Sequence, residues 1–320
     1  MPQWAGHNRE VESGDALQAG DGGAARRAAL LVDDTWVDIA TAAQARGGPA
    51  IGPAGLDLLG ILQGWDTWLP WLRELADRVS AEAPASAERL DPDPATLRLP
   101  FMPRQIYAAG ANYYDHAVEM GGQRPDKSKQ EPYFFYKNLS SVIGPNEPIV
   151  IPPEVTQPDW EAELAAVIGR PARRVSADRA LDYVAGYTIM NDVSCRNLGR
   201  RTDQPWPFDW LLAKGWETFA PFGPWLVPAE FIPDPQHLDI RLWVNDELKQ
   251  NTNTSDMIHT TAEQIAWISR VARLMPGDVI STGTGAGVGR PRGTFLKPGD
   301  RVTIEIERVG RLENPVVGEG

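Results

Sequence analysis

The sequence predicts a β-rich α+β fold, with a small N-terminal unit ahead of a larger, strand-dominated one. Three observations lead there. Short apolar, β-branched runs bounded by turn residues recur from about residue 106 to residue 306. Helical periodicity is confined to a few stretches, chiefly 56–79 and 260–274, so strands seldom alternate with helices and a doubly wound sheet is disfavoured. A segment dense in Pro, Ala and Asp, residues 83–100, separates the two units. The expected division is a loose tail over 1–27, a small domain and linker over 28–100, and the strand-rich domain over 101–320.

Taken in order, residues 1–27 are rich in Gly, Ala and charge without periodicity, which predicts little order. Ala28–Val32 and Thr35–Ala40 flank Asp33-Asp34 as a hairpin with an acidic turn. Trp65–Val79 carries Trp68, Trp71, Leu72, Leu75 and Ala76 at helical spacing, a packing stripe. Ile106–Gly110 is a short strand leading to a helical turn, 112–120, which Gly121-Gly122 stops. Further strands are expected at Tyr133–Tyr136, Ile149–Ile151, 159–169, Val184–Met190, Leu238–Val244, Val279–Thr282 and Val302–Ile306. Thr260 and Glu263 form a capping box that starts a helix.

Composition narrows the function. The formal net charge of -12 repels phosphate backbones and anionic membranes, so neither nucleic acid nor a membrane is an expected partner. A single cysteine, Cys195, leaves no internal disulfide and no multi-Cys zinc site. The N-terminus lacks the pattern of a signal peptide and no run approaches a membrane span, so a soluble cytoplasmic protein is expected.

The chemistry centres on Asp159-Trp160-Glu161-Ala162-Glu163-Leu164-Ala165-Ala166-Val167-Ile168-Gly169. Strand alternation sends Glu161 and Glu163 to one face, which is either a solvated edge or half of a hard-cation site. Asp192, at the end of the 184–190 strand, is either a turn residue or a third oxygen ligand. Such a set, without histidine or thiolate, favours Mg²⁺ or Mn²⁺ over Zn²⁺. His116 and Glu119 share a helical face, as a surface pair or as a base with its orienting acid. Arg196 and Lys214 are plain surface charge or the groups that hold an anionic substrate. Gly283–Gly289 follows a strand but leads to no helix, so nucleotide-binding patterns fail; a loop offering Thr284 and backbone amides to a carboxylate fits better.

Together these motifs resemble the fumarylacetoacetate hydrolase family. Asn112-Tyr113 with His116 and Glu119, the Asp159–Glu163 stretch, Gly186-Tyr187 through Asn191-Asp192-Val193-Ser194 to Arg196, Lys214 before Phe219-Ala220-Pro221, Asn253-Thr254 and Thr282-Gly283-Thr284 stand in the family's order, from about Arg104 to Val316. The resemblance implies a mixed β-roll catalytic domain, usually in a homodimer, with Mg²⁺ or Mn²⁺ on Glu161, Glu163 and Asp192. It also implies His116 and Glu119 as a water-activating dyad on a lid, and Arg196, Lys214 and Thr284 on the substrate. Two departures concern the distal end of that substrate: Gly285 stands where relatives often have proline, and Gly199 where some acylpyruvate-cleaving relatives place glutamine. The expected activity is metal-dependent carbon–carbon hydrolysis of an acylpyruvate-like or diketo 2-oxo acid through an enolate, with Lys214 stabilising the charge. A hydratase, isomerase, tautomerase or decarboxylase of a 2-oxo acid would use the same groups, and a non-catalytic 2-oxo acid binder is the alternative outside enzymes.

Overall fold

The computed structural model describes residues 11–16, 27–51, 56–91 and 97–320. The N-terminal unit holds strands β1 (Val11–Ala16), β2 (Arg27–Val32), β3 (Thr35–Asp38) and β4 (Arg89–Leu90), with helices α1 (Ile39–Arg46), α2 (Leu58–Gln63) and α3 (Trp65–Ala81) between β3 and β4. The expected hairpin forms, Val32 pairing with Thr35. Asp33 and Asp34 both take positive φ, 47° and 63°, as the tight turn between twisted strands requires. Its second arm stops short of Ala40 because the Asp38 side chain turns to accept the Thr41 amide and cap α1. Trp65, Trp68, Leu72, Leu75, Ala76 and Val79 of α3 are buried, the stripe that the periodicity predicts.

One expectation is corrected here. Part of the loose tail, residues 1–10 and 17–26, lies outside the described residues, but Val11–Ala16 is a strand, antiparallel to β2 and touching β13 at Ser13↔Leu226. Its sequence has no apolar alternation; the backbone groups of its neighbours, which need partners, recruit it.

The remaining chain supplies β5 (Gln105–Ala109), α4 (Tyr114–Glu119), β6 (Phe134–Lys137), β7 (Val142–Ile143), β8 (Ile149–Ile151), β9 (Pro158–Asp159) and β10 (Ala162–Ile168). Then follow α5 (Ala177–Ala180), β11 (Val184–Asn191), β12 (Ser194–Cys195), α6 (Trp210–Lys214), β13 (Ala220–Pro228), β14 (Asp239–Val244) and β15 (Glu247–Asn253). Helix α7 (Thr261–Val271), β16 (Asp278–Thr284), β17 (Arg301–Ile306) and β18 (Gly310–Gly318) complete the described elements. The capping box forms as predicted: Glu263 accepts the Thr260 amide at 2.8 Å while Thr260 Oγ1 accepts the Glu263 amide at 3.2 Å.

Among the described residues, an 11-stranded sheet runs β4-β3-β2-β1-β13-β11-β10-β16-β5-β6 with β7 beside β13, and a five-stranded sheet runs β15-β14-β17-β18-β8. The pairs β16·β5, β13·β7 and β18·β8 are parallel, which makes both sheets mixed. Strand β10 is buried at all seven positions. Its Leu164, Ala166 and Ile168 share a core with Ile240, Leu242, Ile304 and Leu312 of the second sheet. Its Ala165 and Val167 pack instead with Leu30, Ile61, Leu62 and Trp65 of the N-terminal unit. The sheet that carries the acidic residues is therefore covered on both faces. No described helix is long and apolar enough to cross a membrane.

Candidate metal centre and active site

The acidic site follows from strand register. β10 and β11 are antiparallel with Ala162 opposite Asn191, so Glu161 and Asp192, each one step beyond that pair, come together. The Asp192 amide donates to the Glu161 carbonyl at 2.9 Å, and the Glu161 amide donates to the Asn191 side chain at 3.0 Å. Glu163, two residues into the chain from Glu161, points to the same face. Carboxylate oxygens of Glu161, Glu163 and Asp192 lie within 4.8 Å of one another, and all three residues are buried. The solvated-edge reading of this pair is thereby set aside.

Three cations hold the cluster. Lys214, at the end of α6, places Nζ 2.6 Å from Glu161 Oε2 and 2.6 Å from Asp192 Oδ2. Arg196 spans Asp159 Oδ2 at 2.8 Å and Glu161 Oε1 at 2.5 Å. Lys137, on β6, sets Nζ 2.7 Å from Asp192 Oδ1 and donates to the Val193 carbonyl at 2.9 Å. Neither Lys137 nor the anchoring role of Asp159 emerges from sequence reading. A signal for Lys137 exists, because alternation along Phe134-Phe135-Tyr136-Lys137 puts Lys137 on the buried face with Phe135.

These contacts split the carboxyl groups electrostatically. Burial opposes ionisation of Glu161, but Lys214 and Arg196 outweigh it and hold this carboxyl well below the usual range. Glu163 has no such partner: burial, with the charges of Asp192 and Glu161, pushes it up to about 8. Burial likewise pulls Lys137 down to about 8 despite Asp192. Lys214 stays above its ordinary value because Asp192 and Glu161 overcome its own burial. Glu163 Oε2 accepts Ser281 Oγ at 2.5 Å and the Gly283 amide at 2.9 Å, while its Oε1 has no partner among the described residues. An orphaned buried carboxylate oxygen in an all-oxygen cluster fits a hard divalent cation. Mg²⁺ and Mn²⁺ suit this donor set equally well.

Helix α4 carries the second half of the site. His116, 7% exposed, and Glu119 face each other across one helical turn with Nδ1 3.8 Å from Glu119 Oε2. Both Glu119 oxygens instead accept the Gly287 amide, at 3.0 and 2.9 Å, and Arg292 stands 3.6 Å away. Burial opposes ionisation of Glu119, yet His116, the Gly287 amide and Arg292 hold its carboxyl below its ordinary value. The glycine-rich loop thus presents its amides to carboxylates as expected, but to the protein's own: Gly283 to Glu163, Gly287 to Glu119, and Gly289 to Asp159 at 2.6 Å. Gly287 takes φ 112°, and a Cβ there would lie 2.2 Å from the Lys249 carbonyl, so only glycine serves.

A cavity of about 230 Å³ opens onto His116, Glu161, Glu163, Arg196, Lys214 and Thr284. Asp192 is reached through Lys214, and Glu119 through His116. Thr284 lies on the wall with its hydroxyl engaged, donating to the Ala162 carbonyl at 2.9 Å and accepting Gln250 Nε2 at 2.8 Å. Cys195 lines the same cavity, and burial pushes its thiol up, which suits packing and not nucleophilic attack.

Fold and site together define a sheet-rich α+β enzyme with a buried acidic cluster whose donor set fits a hard cation. Residues 105–317 match the family described as fumarylacetoacetate (FAA) hydrolase C-terminal, and the chain belongs to that family. It is 45% identical to an oxaloacetate tautomerase of Xenopus laevis, over 67% of this chain and 66% of that protein, so the match spans just under two thirds of the relative's length. Among solved structures, a 2-hydroxyhepta-2,4-diene-1,7-dioate isomerase of Mycobacterium marinum is 31% identical with a TM-score of 0.67, covering 97% of this chain and 99% of that one. A maleylpyruvate hydrolase of Sphingobium sp. SYK-6, in complex with manganese(II) and pyruvate, is 27% identical with a TM-score of 0.71, covering 97% and 100% of the two chains. Hydrolase, isomerase and tautomerase names thus all occur among these relatives.

Proposed function

We propose that the protein is a divalent-metal-dependent enzyme that moves a proton next to the keto group of a 2-oxo acid, an enolate-forming isomerase of the tautomerase kind. The observation that carries this reading is the buried triad of Glu161, Glu163 and Asp192 with an unpartnered Glu163 oxygen. Mg²⁺ or Mn²⁺ held by these three residues would supply Lewis-acid stabilisation of an enolate. Lys214, buried and fully cationic, adds a fixed positive charge beside Glu161 and Asp192, where no solvent needs to reorganise. His116 lines the cavity and is the proton acceptor; Glu119, held ionised by the Gly287 amide, stabilises the imidazolium that results. Arg196 fixes the carboxylate of Glu161 and so keeps the cluster in register.

Tautomerisation needs one proton moved and no leaving group. It is favoured as the first reading because it needs no activated water, and it is supported by the 45% identity to an oxaloacetate tautomerase over 67% of this chain. Carbon–carbon hydrolysis is the second reading, supported by the full-length likeness to a maleylpyruvate hydrolase. It would use the same His116 to deprotonate water. The test is to follow the loss of enol absorbance of a 2-oxo acid such as oxaloacetate, and product formation from acylpyruvates, with Mg²⁺ or Mn²⁺ present. His116→Ala should reduce the rate by about 10²–10⁴-fold, the range for a removed general base, while the metal still binds in calorimetry. Undiminished turnover in that variant would remove His116 from the mechanism.

A further inference from the structure

We propose that Asp256 is a positioning residue: it fixes the first turn of α4 from outside and so sets where His116 stands in the cavity. This inference rests on the reading of His116 as the proton acceptor and begins with what the imidazole lacks. His116 is buried, and its Nδ1 has no hydrogen-bond partner among the described residues, with Glu119 Oε2 3.8 Å away. The place of the ring is therefore set by the backbone of α4. That helix has six residues, Tyr114–Glu119, too few to hold itself together in water. Its N-cap residue, Tyr113, makes no side-chain capping bond. The first turn has to be held by another part of the chain.

Asp256 supplies the missing cap from 141 positions away. Its Oδ2 accepts the Asp115 amide at 2.8 Å, and Asp115 stands at the second helical position, one of those to which a capping side chain normally bonds. The Asp115 side chain closes the next position itself by accepting the His116 amide at 2.6 Å, and Thr252 Oγ1 donates to it at 3.2 Å. Asp256 is in turn firmly seated, at the end of the turn Thr254–Asp256 that follows β15. The Thr254 amide donates to the Leu238 carbonyl at 3.0 Å, the Leu238 amide donates to Thr254 Oγ1 at 2.9 Å, and the Asn253 side chain accepts the Ser255 amide at 2.9 Å. The Asn253-Thr254 pair, which the sequence singles out without a role, thus builds the turn that presents Asp256. Just ahead of α4, Asn112 is tied to the residues that follow this turn: its Oδ1 accepts the His259 amide at 2.9 Å and its Nδ2 donates to the His259 carbonyl at 3.0 Å. Asp256 is not among the residues that line the cavity, so its effect on the reaction passes through α4.

The test compares three substitutions in the full chain. Asp256→Asn keeps an acceptor oxygen in place without the charge, Asp256→Glu keeps the charge but displaces the oxygen, and Asp256→Ala removes both. In the turnover assays above, kcat should fall about 10- to 100-fold in the Ala and Glu variants, the scale of a catalytic group misplaced by about 1 Å, and stay within about threefold in the Asn variant. KM and the calorimetric affinity for Mn²⁺ should hold in all three, because Glu161, Glu163 and Asp192 are carried by other elements. Deuterium exchange of the peptide 112–120 gives a readout apart from activity: it should quicken in the Ala and Glu variants and not in the Asn variant. If Asp256→Ala does not fold, the contrast between Asn and Glu decides. Full kcat in the Glu variant, exchange that is the same in all variants, or a loss of Mn²⁺ affinity that matches the loss of kcat overturns the inference, while a slow His116→Ala leaves the proton-acceptor reading standing. Undiminished turnover in His116→Ala removes that reading and the inference with it.

Discussion

At the scale of single residues, the site is divided between carboxylates that meet cations directly and one that neutral donors orient. Glu161 and Asp192 are held by cations, whereas Glu163 is oriented by neutral donors, Ser281 Oγ and the Gly283 amide. A ligand carboxylate aimed by such a hydroxyl loses its aim when the hydroxyl is removed. Ser281→Ala should therefore weaken Mn²⁺ binding by about 10- to 100-fold, the usual cost of an outer hydrogen bond to a ligand, with the melting temperature of the metal-free protein little changed. Titration calorimetry decides it: unaltered affinity would mean that packing alone positions Glu163. The acidic residues were legible because strand alternation and the spacing of Glu161, Glu163 and Asp192 are written in the chain. Lys137 was not, since one lysine after three aromatics looks like a strand end until its partner, 55 positions later, arrives at Asp192.

Among elements, those read from the sequence are those whose own residues carry the pattern. α3 has its stripe, α7 its capping box and β10 its apolar run. Strands β13, β15 and β18 escaped because they do not: β13 contains Pro221, Pro224 and Pro228, β15 is polar throughout Glu247–Asn253 apart from Leu248, and β18 mixes Arg311 and Glu313 with Pro315. Their neighbours impose the extended form, through backbone pairing that no local preference announces. Helix α1 is another such case, fastened by a long-range pair and not by amphipathicity. Arg46, in its last turn, donates Nε to Glu88 Oε1 at 2.8 Å, and the Glu88 carbonyl accepts the Asp38 amide at 2.8 Å where the helix begins. The Arg46 side chain holds the buried Glu88 carboxyl below its ordinary value. A carboxyl depressed in the fold adds stability that is complete above its unfolded pKa of about 4.3 and is lost as pH falls through the lower folded value. Glu88→Gln should then cost about 1–3 kcal/mol at pH 7, less than a wholly buried pair because Arg46 is a quarter exposed. Thermal melts of both proteins from pH 7 to pH 3 should show the gap closing at the acid end. A gap of the same size at pH 3 would assign the loss to packing instead.

For the whole molecule, the decisive feature is that the N-terminal unit and the catalytic part share one sheet and one core. Strands β1 to β4 extend the sheet of β10, β11 and β16 through β13. Alternation along β10 puts Glu163, Ala165 and Val167 on one face, and it is this face that the N-terminal helices cover farther along, with Trp65 of α3 packed in the same cluster as Val167 and Ala185. Trp65 also abuts Gly169 at the end of the acid-bearing strand: a Cβ on Gly169 would lie 2.9 Å from the indole. The division drawn at residues 83–100 in the sequence is thus crossed by a continuous sheet and a common core. Unfolding of the N-terminal unit would expose Ala165, Val167, Met190 and Val279 beside the site, so loss of metal and loss of sheet should coincide in a single transition. Trp65→Ala should lower stability by about 3–5 kcal/mol, as for other large-to-small core changes, and shift both signals together. Mn²⁺ release and far-ultraviolet circular dichroism, followed through the same melt, provide the measurement. Two separated transitions, with the metal retained after the first, would show that the catalytic part stands without the unit that covers it.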